Sequence, residues 1–150
     1  METVLAGHER VSVLLLSGTF DRAHYALSIA STAAALERPA TLFVTLAATR
    51  ALLAEDDAGC PAWATLPVSA DLAEPDVADG GTLDARNRVR GVAGFEELLQ
   101  ACVGLGVEFM VCEMGLRALD LEATRLRQDL PIRPGGLATL LGQGGQIVVI

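Results

Sequence analysis

Two apolar runs separated by an alanine-rich segment constrain the fold of this chain more than any other feature. The first run, VSVLLL, occupies residues 11–16 and ends at the turn signal Ser17-Gly18-Thr19, and the second, ATLFVTL, occupies 40–46. Short continuous apolar runs bounded by turn signals are typical of strands that are buried on both faces. Because a strand–helix–strand unit takes a right-handed crossover, the two strands are expected to be parallel.

The segment between the two runs has the pattern of a helix that packs closely on a sheet. A helix is predicted from Arg22 to about Arg38, with Asp21 placed to cap it and Pro39 to end it. Small and apolar side chains recur on one stripe at helical spacing, namely Ala23, Ala26, Leu27, Ala30, Ala33 and Ala34. Such a stripe lets a helix lie near the strands that it covers.

The rest of the chain continues the alternation of strands and helices. The elements predicted are a short helix over 49–54, a helix over 94–106, a strand over 107–112, a short helix over 114–121, a charged connection over 122–134, a short helix over 136–141 and a strand over 146–150. A further strand is expected at 66–70 or at 130–133. This order predicts a single three-layer α/β/α domain on a mostly parallel sheet of four to six strands.

Residues 55–93 differ in composition from the rest of this 1–150 domain. Eight of the nineteen acidic residues lie between Glu55 and Asp84, and Pro61, Pro67 and Pro75 interrupt the segment. We therefore predict an acidic, loop-rich insertion that is the least ordered part of the chain, over about 55–90. It is either a solvated loop or a cover for a site, and the sequence leaves both open.

Charge and composition exclude several classes of function. The eleven basic residues are all Arg and stand against nineteen acidic residues, so the net charge is −8. This balance argues against binding to nucleic acid or to anionic lipid, and the absence of Lys excludes Schiff-base chemistry and a P-loop. No targeting signal is expected in the opening METVLAGHER, and no apolar stretch reaches the roughly 20 residues of a membrane span. With only three cysteines and no zinc-type spacing, we predict a cytoplasmic protein without metal or cofactor.

Candidate chemistry lies at the carboxyl ends of the predicted strands, where open parallel sheets bind ligands. Three connections lie there, at 17–21, 45–49 and 112–115, and only the last carries a strong nucleophile, Cys112. A helix N-terminus favours a thiolate, so Cys112 is expected to be partly accessible and more reactive than Cys102. Glu113 acts against ionisation of this thiol. The alternative is that Cys112 is a small buried side chain.

The other candidates have less defined roles. Cys60, in the acidic segment, would be a resolving thiol for Cys112 if the loop folded over it, and is otherwise an inert loop thiol. His24, one turn into the first helix, would activate Cys112 if the two side chains met, and is otherwise a partly exposed histidine. Cys102 falls on the apolar face of its helix and is expected to be an inert core residue.

Three segments together resemble the DsrE/DsrF-like family of small sulfur-relay proteins. They are VSVLLLSGTFDRAHYALSIASTAAALERPATLFVT, GFEELLQACVGLGVEFMVCEMGLRALDL and GGLATLLGQGGQIVVI, in the order of the family, and CEMGLRALDL is the most specific piece. The resemblance implies a parallel-sheet α/β/α domain that forms homo-oligomers. It also implies a persulfide on a cysteine that matches Cys112, exchanged with other sulfur carriers and sulfurtransferases. The acidic middle departs from related proteins, which often have a Met- and Lys-rich insertion there.

These observations predict a sulfur carrier or sulfurtransferase-like protein with Cys112 as the acceptor thiol. The residues expected to line its pocket are Gly18, Thr19, Asp21, Glu113, Met114 and Gly115. Two alternatives stay open: a non-catalytic small-ligand or protein-binding domain, and a peroxide-responsive protein that pairs Cys60 with Cys112. Because hydrophobic residues make up 51% of the chain, we also predict a homo-oligomer, with a trimer or larger favoured over a dimer.

Overall fold

A single parallel sheet of five strands organises the protein, shown here as a computed structural model that describes residues 9–150. The strands are β1 (Val11–Leu15), β2 (Ala40–Val44), β3 (Glu108–Cys112), β4 (Ile132–Gly135) and β5 (Gln146–Val149), and their order across the sheet is β4-β3-β2-β1-β5. The further strand expected at 66–70 or 130–133 is β4, which overlaps the second of these two ranges, and residues 66–70 form no strand. The opening METVLAGH, in which no targeting signal is expected, lies outside the described residues.

Helices cover both sides of this sheet, which confirms the predicted three-layer α/β/α fold. They are α1 (Phe20–Ala35), α2 (Gly80–Val89), α3 (Phe95–Gly104), α4 (Glu113–Ala118) and α5 (Leu137–Gly142), with 3-10 turns at Leu46–Leu52, Ala62–Thr65 and Ala123–Arg125. In the described part of the chain, no helix has both the length and the apolar character that crossing a membrane requires.

The strand order determines which face of the sheet each helix covers. From β1 to β4 the chain steps across the sheet in one direction, so right-handed crossovers place the connecting helices on one face. The return from β4 to β5 is the one reversal among the described strands, and it places α5 on the opposite face. The face covered by α1 and α3, the two-helix face, carries Val13, Leu42, Phe109 and Val111. The face covered by α5, the one-helix face, carries Leu14, Phe43, Met110 and Cys112.

The alanine stripe packs α1 closely on the sheet, as its spacing predicts. Ala23, Ala26 and Ala30 are all 1% exposed or less. The helix begins at Phe20 with Thr19 as its N-cap residue, two residues before the predicted start. Asp21 is therefore in the first turn and not at the cap, and the structure gives its carboxylate a different partner, described below.

The acidic middle segment is more structured than the sequence indicates. It contains α2 and the 3-10 turn at Ala62–Thr65, and several of its side chains are buried in the main core, namely Trp63, Leu66, Val68, Val77 and Leu83. Asp79 caps α2 by accepting a hydrogen bond from Thr82 N at 2.9 Å. At Gly80, an added Cβ would lie 2.3 Å from the Trp63 carbonyl oxygen, so the helix start requires glycine. The loop-rich description thus fits 55–61 and 66–79, and it is wrong for α2.

Candidate functional site

Cys112 is the last residue of β3, and its side chain lies on the one-helix face. It belongs to a small buried cluster with Phe43, Met110 and Leu140, and Leu14 packs against that cluster. Only 2% of Cys112 is exposed, so the prediction that it is partly accessible is wrong. The reason is α5, a helix whose sole fully buried residue is Leu140 and which covers this end of the strand.

The turn that follows Cys112 does not form a pocket around its sulfur. Cys112 is the N-cap residue of α4, but its side chain makes no capping hydrogen bond with this six-residue helix. Glu113 is exposed, as is Met114 at 61%. Gly115 is buried where α4 meets the end of β2, and an added Cβ there would lie 2.6 Å from Thr45 Oγ1. Close packing, not contact with Cys112, is therefore what requires this glycine.

The cover over Cys112 is short and has glycines on both sides. Gly136 precedes α5, and Gly144 follows it with a positive φ of 68°. Polar contacts hold its C-terminal end: Gln143 Oε1 accepts from Thr41 Oγ1 at 3.1 Å, and Gln143 Nε2 donates to Glu108 Oε2 at 3.1 Å. A polar network thus holds the C-terminal end of the helix, whereas its N-terminal end follows the two consecutive glycines Gly135 and Gly136.

Gly18 and Thr19, predicted to line the pocket of Cys112, line a separate cleft. This cleft, of about 470 Å³, opens at the carboxyl ends of β1 and β2. Its other lining residues are Ala47, Arg50, Leu53, Ala62, Thr65, Leu66, Pro67, Leu119 and Leu121. An added Cβ at Gly18 would lie 2.8 Å from the Ala47 Cβ, so the turn needs glycine to pass this close. Cys112 does not line this cleft.

Asp21 fastens the middle segment to the start of α1. Its carboxylate accepts hydrogen bonds from Ser69 N at 2.8 Å and from Ser69 Oγ at 2.6 Å. Ser69 Oγ also lies 3.3 Å from Thr19 Oγ1. Because Leu66 and Pro67 form part of the cleft wall, this contact shapes the cleft. Asp21 therefore has a positioning role, and the helix-cap prediction for it is wrong.

Neither predicted accessory residue meets Cys112. His24 lies on α1, where its Nε2 is 2.8 Å from the Ala93 carbonyl oxygen and its ring is 5.8 Å from that of Phe20. Cys60 lies three residues before Trp63, which stacks on Phe95 with ring centroids 5.0 Å apart. His24 is thus on the side of the two-helix face, and Cys60 leads into Trp63, which packs on the same side. Neither residue belongs to the buried cluster that surrounds Cys112. The structure gives no support to pairing with either residue.

Cys102 is buried in α3, as its helical spacing predicts. Its Sγ donates to the Leu27 carbonyl oxygen at 3.6 Å, and its exposed fraction is 0%. Burial raises the pKa of this thiol to about 12, because the charged thiolate loses its hydration in the core. At neutral pH Cys102 is therefore a neutral, unreactive thiol.

Sequence reasoning missed two groups of residues that the structure brings together. The first is Arg50, which lines the cleft. It directly follows the second of the three strand-end connections, at 45–49, and this position in the sequence could have identified it. A second group joins distant segments: Trp63 Nε1 donates to Glu96 Oε1 at 2.9 Å, and Arg127 pairs with Glu96 and Asp129. Hydrogen bonding to Arg127 lowers the pKa of Asp129. Within residues 9–150, no three His, Cys, Asp or Glu side chains are grouped as a metal site requires.

Comparison with known proteins gives a structural match and no sequence match. No protein-family model matches this sequence, and no curated protein matches it. The crystal structure of the YchN protein from E. coli matches with a TM-score of 0.56 and 10% identity, over 95% of this chain and 99% of that chain. At this identity the likeness is one of fold, so this chain shares the fold of YchN.

Proposed function

We propose that this protein carries sulfur as a persulfide on Cys112. The observation that carries the proposal is the position of this thiol at the carboxyl end of β3, beneath a single six-residue helix. Ligands of open parallel sheets bind at that edge, and neither Cys60 nor Cys102 is placed there. The resemblance to the DsrE/DsrF-like family and the fold shared with YchN support the same assignment.

The transfer needs no oxidant, because the sulfur moves at one oxidation level. The Cys112 thiolate attacks the outer sulfur of a donor persulfide, the S–S bond of the donor breaks, and the donor leaves as a thiolate that takes up a proton. Cys112 then holds the persulfide. In the return step, an acceptor thiolate attacks the outer sulfur of that persulfide and Cys112 leaves as the thiolate. The partners are other sulfur carriers or sulfurtransferases.

The burial of Cys112 sets a condition for both steps: α5 must move to let a donor or acceptor reach the sulfur. The glycines on each side of α5 give the backbone the freedom for such a movement. The movement also breaks few apolar contacts, because Leu140 is the one fully buried residue of this helix. Local openings of this kind cost less than global unfolding when few apolar contacts are broken. In the closed state, the apolar cluster excludes small thiols that would reduce the persulfide. We also propose that the protein is cytoplasmic and forms a homo-oligomer.

Mass spectrometry after treatment with a persulfide donor tests this function. The expected result is one added sulfur atom on the peptide that contains Cys112, in the wild type and in Cys60→Ser and Cys102→Ser. Cys112→Ser should remove the adduct and keep the fold, because the substitution changes the volume little. Sulfur found only on Cys60, or on no cysteine, would contradict the proposal.

A different observation favours a second function, a non-catalytic small-ligand domain. The cleft at the ends of β1 and β2 has apolar walls and one charged lining residue, Arg50, which forms no ion pair within residues 9–150. An exposed guanidinium above apolar walls suits a small anion with an apolar body. Calorimetric titration with hexanoate, and with hexanol as the uncharged control, tests this function. Arg50→Gln should abolish hexanoate binding, whereas Cys112→Ser should leave it unchanged.

A further inference from the structure

The two edges of the sheet differ in how they resist pairing with another strand. At one edge, β4 contains Pro134 and a half-exposed Arg133, and both residue types block strand addition. At the other edge, β5 has the sequence QIVV, without proline or charge, and its Ile147 and Val149 are 37% and 59% exposed. An apolar and unprotected edge of this kind is a template for an added strand.

The backbone of β5 offers the hydrogen bonds that an added strand needs. Gln146 N donates to Arg10 O at 2.8 Å, and Ile150 N donates to Leu14 O at 2.9 Å, so these residues direct their backbone groups towards β1. The N–H and C=O groups of Ile147 and Val149 alternate with them and therefore point away from the sheet. Within residues 9–150, no strand pairs with this outer side of β5.

Apolar side chains are also open on both faces beside β5. On the two-helix face, a groove of about 420 Å³ separates α1 from β5, and Tyr25 and Leu36 on its wall are 64% and 66% exposed. Val148 lines the same groove. On the one-helix face, Ile147 and Val149 extend the apolar surface. A strand added at β5 would therefore bury apolar groups above and below the sheet.

We propose that β5 pairs antiparallel with β5 of a second copy, so that two sheets join across a two-fold axis. The outward groups of Ile147 and Val149 are self-complementary under such an axis, because each copy supplies donors where the other supplies acceptors. Charge also selects a second copy at this place. Two chains of net charge −8 repel each other, so a contact between copies is favoured where their surfaces carry no acidic side chains. Residues 146–150 contain no acidic side chain, and the charged residue among those that line the groove is Arg38.

This contact is independent of the persulfide proposal and assigns a surface to the predicted homo-oligomer. By itself it makes a dimer, and an assembly of three or more copies needs a second contact surface in addition.

Light scattering of the full chain and of matched Val149 variants tests the contact. Val149→Pro removes an outward N–H and keeps the ladder to β1, whereas Val149→Thr keeps the N–H. The wild type and Val149→Thr should have the same mass, at least twice the 15.7 kDa of one chain, and Val149→Pro should halve it. Because Tyr25 is 64% exposed on α1, Tyr25→Asp should keep the fold, and it should lower the mass by placing a carboxylate in the groove.

Two results would overturn the proposal. One is a Val149→Pro variant that is folded by circular dichroism and has the mass of the wild type. The other is a 15.7 kDa wild type at micromolar concentration. If such a monomer still protected the Ile147 and Val149 amides from hydrogen exchange, residues of its own chain, and not a second copy, would be covering β5.

Discussion

The two faces of the sheet each hide one cysteine, and they hide it by different means. On the two-helix face, Cys102 is 0% exposed within a core built from α1, with 16 residues, and α3, with 10 residues. On the one-helix face, Cys112 is 2% exposed beneath α5, with 6 residues. Two cysteines that are equally buried can therefore differ in how readily a reagent reaches them. We therefore expect that exposing Cys102 needs the main core to open, whereas movement of α5 is enough to expose Cys112.

The largest effect is expected from an aromatic residue on the two-helix face. Phe95 is 1% exposed and packs against Phe20 and Trp63, with ring centroids 5.4 and 5.0 Å away. Phe95→Ala should lower the free energy of unfolding by about 3–5 kcal/mol, measured by urea denaturation, because it leaves a cavity in a closely packed core. Both cysteines should become more reactive in this variant, since its stability falls as a whole.

A smaller and more local effect is expected from the cover on the one-helix face. Leu140→Ala should lower the free energy of unfolding by about 2–3 kcal/mol, because its cluster is small and can collapse around the missing atoms. Alkylation by a haloacetamide should accelerate at Cys112 and not at Cys102, whose pKa of about 12 keeps it neutral even at pH 9. Equal acceleration at the two thiols would show that the faces open together, and the comparison would fail.

Removing the N-cap of α2 tests whether the middle segment stabilises the core of the two-helix face without affecting the cover over Cys112. Asp79→Ala should lower the free energy of unfolding by about 1 kcal/mol, with no change in Cys112 alkylation. Hydrogen bonding to Thr82 lowers the pKa of Asp79 below its ordinary 3.8. The carboxylate therefore stabilises the fold above that value and loses this contribution as the pH falls through its folded pKa. The difference between wild type and Asp79→Ala should shrink on acidification, and a constant difference would exclude the charge as its cause.

The smallest effects are expected from two buried hydroxyls, one on each face. Thr49 Oγ1, beside the main core, and Ser12 Oγ, on the one-helix face, have no hydrogen-bond partner among the described residues. Thr49→Val and Ser12→Ala should each raise the free energy of unfolding by about 0.5–1 kcal/mol, because each removes an unpaired polar group. A loss of stability in Ser12→Ala alone would indicate a bound water or other partner on the one-helix face.

Local pattern was sufficient to predict most of the fold. The apolar runs at 11–16, 40–46 and 107–112 all contain strands, and the alanine stripe of α1 faces the sheet. The weaker predictions come from segments whose pattern is mixed. β4 contains Arg133 and Pro134 because it is an edge strand, which hides it from a search for apolar runs. The acidic composition of 55–93 concealed α2, although Asp79 and Thr82 form a recognisable capping pair.

The candidate site was less predictable, because its geometry depends on distant parts of the chain. The position of Cys112 at a strand end follows from local pattern, but its burial depends on the reversal that brings α5 over β3. Likewise, the partner of Asp21 is Ser69, 48 residues away, and no local signal separates such a contact from a helix cap. Gly18 and Thr19 were expected beside Cys112 and instead line a separate cleft, because the ends of β1 and β2 are closed off by residues from the 3-10 turns and from the end of α4, which are distant in sequence.

The same reversal has a consequence for the order in which the molecule folds. Strands β1 to β4 lie side by side in the order in which they follow one another along the chain, whereas β5 must find β1 from the opposite end of the described sequence, through contacts such as Leu16 N to Ile150 O at 2.8 Å. Closing so large a loop is entropically slow. A four-stranded intermediate should therefore precede the native state. In it, the outer side of β1 would still lack its partner strand, and Cys112 would meet solvent before α5 closes over it.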